Sequence, residues 1–216
     1  MMLPLRNEDD AERAAPAVSR HLARHGLLGY PTETVYGLGS SADPLSVTKL
    51  AVLKGRKAGK PFLLLVSSRA MADRAGLAFT PAADALSQAF WPGPLTLVLR
   101  GGEGILPDAL RGPEGGFAVR YTSHRAVARL IAVLDQPLTS TSANQPGSPP
   151  APGAEQIVAL FRSAYDSGEL LVLDGGTLGN VPPSTIVDCT SRTPSLIREG
   201  ALPRDELRRA VGRFAP

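Results

Sequence analysis

The feature that most constrains this chain is a regular alternation. Short apolar runs of strand length take turns with amphipathic segments that carry helix start and stop signals. The runs are Leu27–Tyr30, Phe62–Val66, Leu95–Leu99, Phe117–Tyr121 and Leu170–Leu173, with shorter extended pieces at Leu138–Thr141, Thr185–Asp188 and Ser195–Ile197. Between them the sequence predicts helices over residues 8–25, from Asp43-Pro44 to Gly55, from Thr80-Pro81 to Phe90, from a Ser123 cap through Leu134, over 154–161 and over 205–214. Asp43 as cap with proline next to it, and Gly55 beyond the last apolar position, are strong boundary signals. Pro16 either kinks the first helix or marks a later start. Such alternation predicts a layered α/β domain. With 216 residues, 43% hydrophobic and 20% charged, the chain has enough apolar surface for one core, and one domain over 1–216 is expected. Glycine and proline make up about 19% of it, against about 12% in average usage, so turns are prominent.

Composition also excludes. The lone Cys189 rules out an intramolecular disulfide and any CxxC or Cys-based zinc site. The first residues carry Glu8, Asp9, Asp10 and Glu12 rather than an apolar run, and no apolar stretch reaches membrane-spanning length. A soluble, cytoplasmic protein without membrane contact is expected. The net charge of +3 permits anionic substrates or RNA without demanding either. Gly37-Leu38-Gly39-Ser40-Ser41-Ala42 fits GxGxxA formally, but the acid expected about 20 residues later is missing. His21 and His25, four apart on one expected helix, read as a solvated face rather than a metal pair.

Three clusters remain. Lys49, Lys54, Arg56, Lys57, Lys60 and Arg69 lie between Asp43 and Asp73 with no acid among them. Cations on a glycine-containing loop suit a polyphosphate, though a merely solvated basic loop gives the same pattern. Ser140-Thr141-Ser142-Ala143-Asn144 places hydroxyls and an amide at a strand end, a favoured ligand position in α/β sheets; local turn chemistry is the plainer account. Pro183-Ser184-Thr185 repeats the theme. Arg120 and Arg198 each end an expected strand, where a lone arginine is ordinarily a surface residue.

Read together, Tyr30-Pro31-Thr32-Glu33-Thr34-Val35-Tyr36-Gly37-Leu38-Gly39, Lys54-Gly55-Arg56 with Lys60-Pro61, Trp91-Pro92-Gly93-Pro94-Leu95-Thr96, Thr141-Ser142-Ala143-Asn144, Pro183-Ser184-Thr185-Ile186-Val187-Asp188 and Ile197-Arg198-Glu199-Gly200 strongly resemble the YrdC-type threonylcarbamoyl-AMP synthases. The resemblance spans residues 25 to 200 and fits the short, one-domain form. It implies a twisted mixed sheet flanked by helices, with a concave basic face. It implies condensation of L-threonine, bicarbonate or CO2, and ATP to threonylcarbamoyl-AMP and pyrophosphate. A partner complex would then modify tRNA, and tRNA itself is a possible partner. The resemblance assigns Lys54, Arg56, Lys60, Ser142, Asn144 and Arg198 to ATP. It assigns Thr32 or Thr34, Arg120, Thr141 and Ser184 to threonine. No protein nucleophile and no protein-held metal are implied; Mg2+ would come with ATP, held by phosphates and water. Gly37 and Gly39 are expected to permit a sharp turn or a close approach to ligand, and the Trp91 segment to be structural. Leu65 stands where longer members often have a histidine, and Tyr121-Thr122-Ser123-His124 departs from the usual x-Pro after the strand-end arginine. A non-catalytic RNA-binding module on the same basic face, or a carbamoyl-adenylate chemistry with another acceptor, are the competing readings.

Overall fold

The computed structural model describes residues 1–56, 61–179 and 181–215. The elements in chain order are β1 (Met2–Pro4), α1 (Glu8–Leu22), β2 (Leu27–Tyr30), β3 (Gly37–Gly39), α2 (Pro44–Lys54), β4 (Leu63–Val66), α3 (Arg69–Arg74), β5 (Leu77–Ala78), α4 (Pro81–Phe90) and β6 (Leu95–Gly101). After a 3-10 turn at Asp108–Leu110 come β7 (Phe117–Tyr121), α5 (Arg125–Leu134), β8 (Leu138–Ser142), α6 (Ala154–Leu160), α7 (Arg162–Asp166), β9 (Leu170–Asp174), β10 (Thr185–Asp188), β11 (Ser195–Arg198) and α8 (Arg204–Val211).

The strands form one mixed sheet in the order β1-β9-β2-β3-β8-β4-β7-β6-β10-β11, with β5 alongside β6. Helices flank it. Parallel pairs (β1–β9, β2–β9, β4–β7, β6–β10) are interleaved with antiparallel ones. β2 is wholly buried, as its unbroken apolar run requires of a strand covered on both faces. One contiguous core runs from Leu5 through the strands to Phe214.

The capping chemistry follows the sequence closely. Asn7 accepts from Asp10 N and opens α1; Asp43 accepts from Leu45 N and Ser46 N and opens α2; Gly55, at φ 57°, closes it. Pro16 lies inside an unbroken α1, because Ala11, Ala14, Ala15 and Val18 bury one face of that helix and packing outweighs the missing N–H. Two expectations are corrected, and one helix is added. α5 is capped by His124, whose Nδ1 accepts from Val127 N, and not by Ser123. α1 ends at Leu22, so His25 lies beyond it; His21 Nε2 bonds Leu27 O, while His25 Nδ1 meets Ser46 Oγ and Asp43. The two histidines therefore form no pair on a helix face. The segment after Leu160 continues as a second short helix, α7, because the chain breaks its direction at Phe161.

Gly37 and Gly39 are also not turn residues. They sit in β3, so the GxG of the GxGxxA segment is strand, not a phosphate-cradling loop. The reason for glycine is the neighbour. A Cβ on Gly39 would lie 2.1 Å from Thr139 O and 2.7 Å from the Tyr30 hydroxyl, which donates to that same carbonyl at 2.8 Å. The buried Tyr30 ring thus occupies the volume a side chain would need, and its hydroxyl ties β2 to β8 across β3. Gly39→Ala must break this arrangement. It should lower unfolding free energy by about 1–3 kcal/mol, the usual range for overpacking, read from urea denaturation midpoints at constant m. An unchanged midpoint contradicts this account of β3.

Candidate functional site

The site is built where β3 begins and β8 ends, beside the segment 31–36 that joins β2 to β3. Thr32 organises that segment. Its hydroxyl donates to Val35 O at 2.7 Å and accepts from Thr34 N and Val35 N, the local turn chemistry that favours threonine here. Its bonding capacity is consumed by the turn. Thr34 is therefore the threonine left to face outward from the segment: its hydroxyl lies 3.1 Å from Thr32 Oγ1 and accepts from Arg120 Nη1 at 3.3 Å. On the other side, Ala143 N donates to Tyr36 O at 2.8 Å. The 31–36 segment so bridges two groups of functional side chains.

The first group lies at the end of α2. Lys54 is buried, and its ammonium donates to Ser142 O (2.7 Å), Asn144 O (2.5 Å) and Asn144 Oδ1. Ser142 Oγ also donates to Asn144 Oδ1, at 2.7 Å. Arg56 donates to Thr141 Oγ1 (2.9 Å) and Pro61 O (2.5 Å), and its guanidinium stacks 4.4 Å from the Phe62 ring centroid. Burial pushes the Lys54 ammonium down to about 8, with Arg56 adding to the shift; burial also lowers Arg56. Lys60 lies outside the described residues.

The second group surrounds Arg120, which is 3% exposed. A lone strand-end arginine is ordinarily exposed, but β7 lies inside the sheet, in register with β4 through Arg120↔Leu65. Glu33 faces Arg120 at 3.7 Å and accepts a hydrogen bond from Thr122 Oγ1. Ser184 Oγ bonds Thr96 Oγ1 at 2.9 Å, and Arg198 Nη2 donates to Ser184 O at 2.7 Å. Desolvation and the nearby charge of Arg120 both lower Arg198. Gly200 explains the tight approach of Pro183-Ser184: a Cβ there would meet Pro183 O at 2.1 Å, and its N–H is held by Thr185 Oγ1.

Sheet register places Ser140, Ser142, Leu65, Arg120 and Thr96 on one face. Thr141, between the two serines, turns to the other face and meets Arg56. It stands apart from Thr34 and Arg120, with which sequence grouped it. Sequence reasoning passed over Glu33, Thr122 and Thr96. Glu33 sits within the Tyr30–Gly39 segment beside two threonines; a lone acid in an otherwise uncharged turn is the signal the sequence offers. Thr96 and Thr122 lie in the Trp91–Thr96 and Tyr121–His124 segments, but only the meeting of distant segments gives them Ser184 and Glu33 as partners.

Four cations (Lys54, Arg56, Arg120, Arg198) thus stand over hydroxyl-rich strand ends with one carboxylate, Glu33, among them. In an α/β protein, such a set of groups suits small anionic or zwitterionic molecules. The Sua5/YciO/YrdC family model, described as "Telomere recombination", matches residues 20–200, and the chain belongs to that family. A relative named threonylcarbamoyl-AMP synthase from Thiobacillus denitrificans is 36% identical over 183 residues, covering 83% of this chain and 93% of its own. One of the same name from Pyrococcus abyssi is 34% identical over 187 residues, 86% of this chain; the chain spans only 54% of that longer relative. The crystal structure of P. abyssi Sua5 complexed with L-threonine superposes with a TM-score of 0.86 at 30% identity, covering 99% of this chain and 62% of that one. Escherichia coli YciO shares the fold, with a TM-score of 0.76 at 24% identity over 93% of each chain. Among the described residues, no helix is long and apolar enough to cross a membrane.

The depressed Lys54 ammonium is directly measurable. With the free protein, the Lys54 side-chain NMR signal should titrate near pH 8, and Lys54→Met should remove that transition. A midpoint at the ordinary lysine value of 10.5 contradicts the burial described here.

Proposed function

We propose that this protein is a threonylcarbamoyl-AMP synthase, condensing L-threonine, bicarbonate or CO2, and ATP to threonylcarbamoyl-AMP and pyrophosphate. The observation that carries this reading is the meeting, over segment 31–36, of a cation–hydroxyl group suited to a triphosphate with a buried arginine suited to a carboxylate. The name borne by relatives at 34–37% identity supports it, as does L-threonine in the P. abyssi structure.

In this reading Arg56, Lys54, Ser142 and Asn144 hold the nucleotide, with Lys60 a further candidate and Arg198 reaching it from its place beside Ser184 and Arg120. Arg120 takes the α-carboxylate of threonine, with Thr34 and Ser184 beside it. Thr141 acts through Arg56, whose guanidinium it orients. Thr32 serves the turn that presents Thr34. Magnesium would travel with ATP, its ligands phosphate oxygens and water, since the side chains facing the nucleotide are cations, hydroxyls and an amide.

The chemistry asks mainly for neutralisation and alignment. The amine of threonine forms a bond to the carbon of CO2 and releases a proton, giving a carbamate. A carbamate oxygen then bonds the α-phosphorus, and pyrophosphate leaves with the electron pair of the broken P–O bond. Triphosphate, carboxylate and carbamate repel one another in water, and the four cations offset that repulsion. A nucleotidyltransferase of this kind needs no protein nucleophile. The product would pass to a threonylcarbamoyl-transferring partner acting on tRNA.

Pyrophosphate release should require threonine, bicarbonate and ATP together, and omission of any one should abolish it. Arg56→Ala should lower kcat/KM at least about 30-fold, or about 2 kcal/mol of transition-state stabilisation, the scale of a charge-assisted contact. Arg56→Lys should recover part of this loss, since it keeps charge without the paired donors. A near-normal rate in Arg56→Ala contradicts the assignment.

A further inference from the structure

Two buried side-chain atoms among the described residues have no hydrogen-bond partner: Glu33 Oε1 and Arg120 Nε. They belong to the same ion pair. The guanidinium of Arg120 and the carboxylate of Glu33 are 3.7 Å apart at their nearest charged atoms, with no hydrogen bond joining them. Buried charged groups normally fill their bonding capacity, and leaving one open carries the full desolvation penalty. Here the pair forgoes the geometry that would close it. Thr122 holds Glu33 from one side, donating to Oε2. Thr34 holds Arg120 from the other, accepting from Nη1. Each charge is therefore pinned by a hydroxyl, and each keeps one atom free.

One orphan is an acceptor carrying negative charge; the other is a donor carrying positive charge. A single small molecule that supplies a cationic donor and an anionic acceptor a few ångströms apart satisfies both. A zwitterionic α-amino acid is such a molecule. Its carboxylate complements a guanidinium and its ammonium a carboxylate. We propose that Glu33 is a substrate-binding and specificity residue: its free Oε1 accepts from the amino group of the amino acid whose carboxylate lies on Arg120, and it is this contact that restricts the site to acids with a free amine. The inference rests on the threonine-dependent activity set out above and names the residue that recognises the end of threonine that reacts.

The arrangement has a chemical consequence. Glu33 fixes the nitrogen beside the strand-end hydroxyls while the carboxylate is anchored on Arg120, so the amine is presented in one orientation. A molecule with a hydroxyl in place of the ammonium keeps the Arg120 contact and loses the charged partner of Glu33, leaving that carboxylate buried and uncompensated.

The test compares L-threonine with (2S,3R)-2,3-dihydroxybutanoate, its analogue bearing hydroxyl in place of ammonium, as a competitive inhibitor of threonine- and bicarbonate-dependent pyrophosphate release. In the wild-type protein the analogue should bind at least about 30-fold more weakly than threonine. Glu33→Gln should raise the KM for threonine at least about 30-fold, while the KM for ATP and the inhibition constant of the analogue each stay within about threefold. Thr122→Val, which loosens the carboxylate but keeps its charge, should raise the threonine KM only a few-fold. Equal losses for threonine and analogue in Glu33→Gln would reduce Glu33 to a prop for Arg120 and overturn the proposal. So would a wild-type protein that binds the analogue as tightly as threonine, a result that needs no variant to fold. A wild-type protein that releases no pyrophosphate on addition of threonine overturns the enzyme reading itself, and the Glu33 proposal with it.

Discussion

A guanidinium held out of water in the middle of a sheet governs how the rest of this molecule is arranged. Arg120 would be an expensive residue in a β7 whose neighbours are Val119 and Leu65. The chain accommodates it by bringing Glu33 and Thr34 across from β2, and Thr122 from its own strand end. The 31–36 segment exists in its observed form because Thr32 folds it back on itself. That fold-back depends in turn on β2 and β3 lying side by side, with the Tyr30 ring filling the space left open by Gly39. Packing in the core and charge placement in the site are thus one continuous set of contacts.

The Lys54–Arg56 group is arranged by a different device. α2 points its C-terminal end at the strand end of β8, and Gly55 in a left-handed conformation turns the chain sharply. Lys54 and Arg56 are thereby presented on either side of that turn. One meets the carbonyls after β8, the other its Thr141 hydroxyl. Burial leaves both less inclined to keep their protons than in water, so an anion arriving there relieves a cost already built into the folded state. A site preloaded in this way suits polyphosphates better than a freely solvated basic loop would.

Much of this was legible in the residues, and the reasons are local. Caps at Asn7, Asp43, Thr80 and Gly55 announce helix ends within a few residues of themselves, and apolar runs such as Leu27–Tyr30 announce buried strands. What sequence could not give is what depends on distant pairing. β3 is three residues long, two of them glycine, and no periodicity marks it as a strand; only its neighbours on both sides make it one. The burial of Arg120 follows from β7 lying between β4 and β6, which no feature of Phe117–Tyr121 specifies. Thr141 and Ser142 look equivalent in sequence, yet strand alternation sends them to opposite faces. The resemblance of six ordered motifs grouped residues by position in the chain where geometry was not yet known; it did not distinguish Thr34 from Thr32 or draw attention to Glu33.

The central proposal is that one site, over segment 31–36, holds an amino acid and a nucleotide at the same time, the first on Arg120 and the second on Lys54 and Arg56. A crystal structure with L-threonine and a non-hydrolysable ATP analogue tests it directly. The account predicts the threonine carboxylate on Arg120, the triphosphate against Arg56 and Lys54, and the amino nitrogen turned toward the α-phosphate across segment 31–36. Ligands bound in separate hollows, or a nucleotide lying away from Lys54 and Arg56, would contradict it.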